Sequence, residues 1–357
     1  MSEQTYEGKE IKVAFAQETT FGTAVVDAGT YVELPTEVME IDFDITGREI
    51  PGSHGTKNDT HGNLITSTDG SMPKFTLNMP FSVYHSDILL YAWFQEIVEG
   101  ATTPYGETLV PHDTQPIFSN NAGKFLTFVK AYPVAGTSQK FTSCISSGFK
   151  LGIDRDSNDR MLMLESSMVS KETSDDTSTA FADATFERGL KGPGGASASG
   201  NDFGFKYFTD ISAAHLELDG TASPTADAIC LKGFSIECSH DIEGLCPGSS
   251  TYGDFGISNR EMKIEITMLK DSIAEEALAA VKSNTSATFT VRWGAAGGAT
   301  AEGDVQIVAT FKIDADGITF PEDGIIGAVI KGTISMEDDQ LTEPLTINIA
   351  NAVDRAY

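Results

Sequence analysis

Strict alternation of apolar and polar residues is the dominant pattern in this chain. Met39, Ile41, Phe43 and Ile45 alternate with Glu40, Asp42 and Asp44. Phe75, Leu77, Met79 and Phe81 follow the same period, as do Met262, Ile264, Ile266 and Met268. Period two puts alternate side chains on opposite faces, so each stretch reads as a strand with one face buried. Further strands are predicted at 127–132, 149–151, 288–293 and 311–313, with Cys230, Phe234, Ile236 and Cys238 sharing one parity of another. Two helices interrupt the series. The first, 87–99, is apolar nearly all round (Ile88, Leu89, Leu90, Trp93, Phe94, Ile97, Val98) and stops at Gly100. The second, 272–283, is amphipathic and opens on the capping pair Ser272 and Glu275.

The pattern occurs twice. Asp44-Ile45-Thr46-Gly47, followed by Pro51-Gly52-Ser53, returns as Asp241-Ile242-Glu243-Gly244 before Pro247-Gly248-Ser249. Around each copy the strands and the helix recur in the same order. This implies a tandem duplication of one β-rich module carrying a single helix. The divisions are an arm (1–30), a first module (31–172), a Gly/Ser/Asp-rich linker and insertion (173–227), a second module (228–350) and a short tail (351–357). Within the first module, 48–73 is a long polar loop; its counterpart, 246–260, is shorter.

Composition sharpens this picture. Lys and Arg number 24 against 52 Asp and Glu, a net charge of −28 with 40% hydrophobic residues. There is enough apolar material for two cores. The acidity disfavours tight binding to nucleic acid or an anionic membrane. No apolar run is long enough for a spanning helix. The opening Met-Ser-Glu-Gln-Thr-Tyr-Glu lacks the order of a signal peptide, so synthesis and folding in the cytoplasm are expected. Four cysteines do not make a disulfide scaffold. Cys144, Cys230 and Cys238 read as small buried hydrophobes and Cys246 as a turn residue.

No catalytic constellation is legible, and no enzyme, cofactor or metal is expected. Asp154, Asp156, Asn158 and Glu165 have the spacing of a calcium loop. The glycine that loop needs is replaced by Asp159, and the flanks alternate as strands, so a β-turn is expected. Asp314-Ala-Asp316-Gly317 reads as a hairpin turn. His54, His61 and Asp59 could ligate a metal, but a solvated loop explains them better.

Several short motifs carry a resemblance. The opening Gln17-Glu18-Thr19-Thr20-Phe21-Gly22-Thr23 leads through a polar gap to the strand at 38–45. Gly70-Ser71 precedes the strand from Phe75. Lys232-Gly233-Phe234-Ser235-Ile236 runs to Asp241, Asn259-Arg260 opens the strand to Met268, and Gly332-Thr333 leads to Glu343-Pro344-Leu345-Thr346. Together these resemble the tail tube proteins of long-tailed, non-contractile bacteriophages. The resemblance implies a mainly β fold of two tandem β-sandwich or partial-barrel modules, each with one flanking helix. It implies a structural virion protein, made in the host cytoplasm, that self-assembles into stacked rings through which DNA leaves the capsid. Its partners would be itself, a tail terminator, a tape measure protein, distal tail proteins and genomic DNA that passes without specific binding. Tubes of that family are sixfold or pseudo-sixfold. Two modules per chain therefore favour a trimeric ring over a hexameric one. The polar parity (Glu40, Asp42 and Asp44 with Glu261, Lys263 and Glu265) is expected to form a mainly negative channel wall. Ser53, His54, Lys57, Asn58, Asp59 and His61 are expected to bridge successive rings, together with the N-terminal arm. The competing expectation is a secreted or surface β-sandwich that binds carbohydrate or protein.

Overall fold

The computed structural model describes residues 12–27, 31–34, 38–42, 47–49, 64–66, 72–99, 105–111, 125–131, 138–157, 159–176, 204–218, 228–247, 252–269, 286–294, 301–320, 327–334 and 344–351. The first part of the chain forms β1 (Lys12–Gln17), β2 (Val32–Glu33), β3 (Val38–Asp42), β4 (Gly47–Glu49), β5 (Leu64–Thr66), β6 (Lys74–Pro80), α1 (Ser86–Phe94), β7 (Gln95–Glu99) and β8 (Tyr105–Pro111). It continues with β9 (Leu126–Ala131), β10 (Ser138–Asp154), β11 (Met163–Val169) and β12 (Glu172–Asp176). A 3-10 turn, Phe208–Asp210, leads into β13 (Ala213–Glu217), β14 (Leu231–Pro247), β15 (Tyr252–Leu269), β16 (Ser286–Trp293), β17 (Val305–Thr319), β18 (Gly327–Thr333) and β19 (Leu345–Asn351). The protein is mainly β, and the paired strands run antiparallel.

The pairings of the first part run β3–β6, β6–β11, β11–β10, β10–β12, β10–β9 and β9–β1. Those of the second run β14–β15, β15–β18, β18–β17, β17–β19, β17–β16 and β16–β13. Taken in chain order, the two lists are the same list. In each, one long strand serves two layers. Its first part pairs with the strands before and after the hairpin, and its later part carries the hairpin itself. In β10 the change comes at a register break between Phe141 and Cys144, where Ser143 adopts a left-handed φ of 50°. Among the described residues two strand pairings cross between the parts: β10 with β14, and β8 with β19.

Alternation dictates the core. Inward residues of β6, β11, β10, β14, β15 and β18 join Trp93, Phe94 and the strands of the second layer in one apolar cluster that draws on both parts. Trp93, Phe94, Met262 and Met268 are buried, as the strand and helix patterns predict. Helix α1 is buried on every side, including Ser86 and Asp87, as its all-round apolar sequence requires.

The structure departs from the sequence expectations at several elements. The helix ends at Phe94, not near residue 99: Gln95 turns left-handed (φ 62°), and Ile97 and Val98 continue as β7 opposite β8. An unbroken apolar run cannot by itself distinguish a buried helix from a buried strand. Part of the expected arm is a strand, β1, with Val13 to Ala16 all buried between β9 and β2. The long polar loop begins and ends as a hairpin, β4 with β5. Glu172–Asp176, expected as linker, pairs with β10. Asp314 to Gly317 is a bulge inside β17 rather than a hairpin turn; a Cβ on Gly317 would lie 2.3 Å from the Lys331 carbonyl oxygen. A second bulge, between Leu231 and Gly233, shifts the parity of β14, so Leu231 faces inward and Cys230 is exposed. Cys246 lies within β14. Asp44, the residues from Ser53 to His61, and the expected helix 272–283 lie outside the described residues.

Candidate functional site

One sheet runs through both parts of the molecule in the order β3, β6, β11, β10, β14, β15, β18. Its register aligns polar residues in rows. Glu40, Thr76, Ser167, Gly148, Ser239 and Glu261 occupy one row. The next holds Asn78, Glu165, Lys150, Glu237, Lys263 and Thr333, in which four successive residues alternate in charge. Opposite charges directly across an antiparallel pair attract, whereas like charges would repel. Glu265 faces Lys331 with a 2.9 Å ion pair, and Lys263 meets Glu261 along its own strand at 2.8 Å. The pKa of Lys263 is raised chiefly by its hydrogen bond to Glu261, and that of Lys331 by its hydrogen bond to Glu265.

Of the expected wall residues, Glu261 and Lys263 are exposed on this face, Glu265 is half-buried beside them, and Glu40 and Asp42 hold register positions at its β3 edge. The structure thus brings both sets onto one sheet. Acidic and basic side chains alternate across this face. On its described side chains, Lys74, Lys150, Lys263 and Lys331 stand among Glu165, Glu237, Glu261 and Glu265. An open depression of about 630 Å³ lies over its middle, lined by Lys150, Glu165, Lys232, Ser235 and Glu265.

The junction of β10 with β14 is set by glycine. A Cβ on Gly148, Gly152 or Gly233 would sit 2.7, 2.8 or 2.7 Å from the facing strand's carbonyl oxygen, nearer than side chains approach. Any other residue would push the two strands apart.

Sequence reasoning passed over two buried polar sites. The first is the seat of the segment after β1. Glu18 is buried, and its carboxylate accepts hydrogen bonds from Thr127 Oγ1 (2.5 Å), Ser143 N (2.7 Å) and Ser143 Oγ (2.6 Å). Gly22 N donates to Ser143 Oγ, and Phe21 sets its ring edge against Phe125 and Phe255. Burial raises the Glu18 pKa, partly offset by these hydrogen bonds and the Lys171 charge. The Glu-Thr-Thr-Phe-Gly run was visible in the sequence, but its partners lie more than a hundred residues away. The second site is the buried His240, stacked flat on Trp93 (5.5 Å, 11°), with the Arg260 guanidinium 5.1 Å from the same ring.

Ser82 and His85 also meet, with Ser82 Oγ 2.9 Å from His85 Nδ1, and Asn351 Nδ2 donates to Asp87 Oδ2 at 3.4 Å. All of these residues are fully enclosed, so a serine nucleophile there has no route to a substrate. Their role is to order the entry into α1, where Ser82 N donates to Ser86 Oγ. The calcium-like segment is a turn: Asp156 N donates to Asp154 Oδ1, and Lys232 pairs with Asp156 at 3.0 Å. Among the described residues no three His, Cys, Asp or Glu are grouped to hold a metal ion, and no helix is long and apolar enough to cross a membrane. No protein-family model matches the chain, and no curated protein matches it in sequence.

Proposed function

We propose that this chain is a tail tube protein of a long-tailed bacteriophage, a tandem duplication of one tube module, and that it closes into rings through its own sheet edges. The observation that carries this reading is the repeated pairing scheme, with the halves joined at β10 and β14. In that scheme β3 is the counterpart of β14, and the later part of β17 is the counterpart of the later part of β10. Among the described residues, neither β3 nor residues 313–319 of β17 has a second strand partner. The edge that β14 covers on β10 is therefore open on β17, and the strand that would cover it is β3 of another copy. Such head-to-tail contacts form closed rings when the rotation between copies is right, and closure removes exposed strand edges.

Two modules per chain make a pseudo-sixfold ring from three chains. The halves are not interchangeable, because the β7–β8 hairpin follows the helix of the first half and adds itself to β19 of the second. In this reading the row of alternating charges lines the channel. Its lysines are interleaved with glutamates, so phosphates meet no continuous positive track and the genome slides. Electron microscopy and native mass spectrometry of the purified protein test the proposal. Rings or tubes with three chains per ring are expected. Six chains per ring would overturn the trimer, and monomers at every concentration would overturn assembly itself.

A further inference from the structure

The outer part of the β14–β15 hairpin, 241–247 with 252–258, is joined to the sheet through a double irregularity. The register skips between Ser239 and Asp241 on β14 and between Ser258 and Glu261 on β15, and Asn259 takes a left-handed φ of 51°. Bulges break the ladder and let a ribbon bend. They also turn His240 and Arg260 onto Trp93 of α1. Beyond the break the hairpin rests on the first half through one small apolar cluster, with Phe255, Ile242 and Ile257 against Phe125, Ile145 and Phe21. Among the described residues the hairpin is therefore held at two places, a root stack and an apolar seat, with a bend between it and the sheet.

The root stack is poorly suited to a second positive charge. His240 is buried, and among the described residues neither ring nitrogen makes a well-formed hydrogen bond. The groups facing it are Arg260 from β15, Asp241 from β14, the Trp93 ring from α1 and the backbone of Ser146 from β10. Burial first, and Arg260 second, hold its pKa down to about 4, while Asp241 and Ser146 only partly oppose them.

We propose that the Trp93–His240–Arg260 stack is a proton-operated hinge that keeps the hairpin arms 241–247 and 252–258 seated while His240 is neutral and releases them once the ring is protonated. The device belongs to the single chain and does not depend on whether rings form. Opening exposes His240 to water, where its ordinary pKa applies, so the open state takes up the proton first. Acidification from neutral to about pH 5 then raises the open-to-seated ratio ~20-fold.

Hydrogen exchange of the full-length chain, corrected for intrinsic pH dependence, reads this directly. Amides of 241–247 and 252–258 should lose protection on acidification, while β16 and β17 keep theirs. His240→Phe retains an aromatic ring for the stack but carries no titrating nitrogen, and should abolish the change. The same acid-induced loss in His240→Phe would overturn the proposal, as would a hairpin equally protected at both pH values. Should that variant fold poorly, NMR titration of the His240 ring in the unaltered chain decides instead. A value near 4 supports the hinge, and an ordinary value near 6.5 overturns it.

Discussion

Three side chains set most of what is distinctive at the scale of single residues. Trp93 has no exposed surface and packs edge-on against Phe94 and Phe149 as well as flat on His240. Trp93→Ala should cost about 3–5 kcal/mol in chemical denaturation, the usual loss when a large aromatic is cut from a closed core. Glu18→Gln keeps the shape but turns an amide donor toward donors at Ser143 and Thr127, and should cost about 1–3 kcal/mol. Glu18 and His240 also tilt stability with pH in opposite senses. His240 has a folded pKa of about 4, below its unfolded value, so the unfolded chain binds the proton first. Stability falls by about 3 kcal/mol as the pH drops from about 6.5 to about 4. The folded Glu18 holds its proton more tightly than the unfolded chain does. Its contribution is therefore present at acid pH and lost as the pH rises through its folded value. Unfolding midpoints measured at stepped pH should lose the first slope in His240→Phe and the second in Glu18→Gln.

Elements were legible wherever one face alone is buried. β6 and the 261–268 stretch of β15 alternate strictly, and their inward residues are the ones the period selects. The signal fails where burial is two-sided or absent. In β1, Val13 to Ala16 are all buried, so no period appears and the segment passes for an arm. Its opposite is β12, polar throughout, which only the edge of β10 identifies as a strand. Bulges defeat the period in a third way, because one extra residue moves every later side chain to the other face; Cys230 is the example. The candidate face was recoverable from the sequence to the extent that Glu261, Lys263 and Glu265 share a parity. That their row continues through Glu237, Lys150 and Glu165 depends on the junction of β10 with β14, which no local pattern encodes. Glycine at that junction gives the element-scale prediction. Gly152→Ala puts a methyl 2.8 Å from the Phe234 carbonyl oxygen and should lower stability by about 1–3 kcal/mol, whereas Ser235→Ala, directly opposite and half-buried, should change it by under about 0.5 kcal/mol. Equal effects at the two positions in thermal unfolding would mean that the close approach is not what the glycine serves.

At the scale of the whole molecule, the end of β17 is where the two pairing schemes differ. Among the described residues, 313–319 have one strand partner, through β18, where the equivalent stretch of β10 has two. Phe320 follows directly and is 56% exposed, a large aromatic left in solvent beside an open edge. A solitary exposed apolar residue needs no explanation, but one adjoining unpaired backbone coincides with where a second copy's β3 would dock. Phe320→Asp should therefore separate folding from assembly. The Phe320 side chain is more than half exposed, so the monomer's unfolding free energy should move by no more than about 0.5 kcal/mol. At the seam it would bury an unpaired carboxylate, and rings should disappear from micrographs and from native mass spectra. Rings that persist in Phe320→Asp would place the contact elsewhere on the chain while leaving assembly intact. An unstable monomer would instead mean that Phe320 supports the fold of its own half.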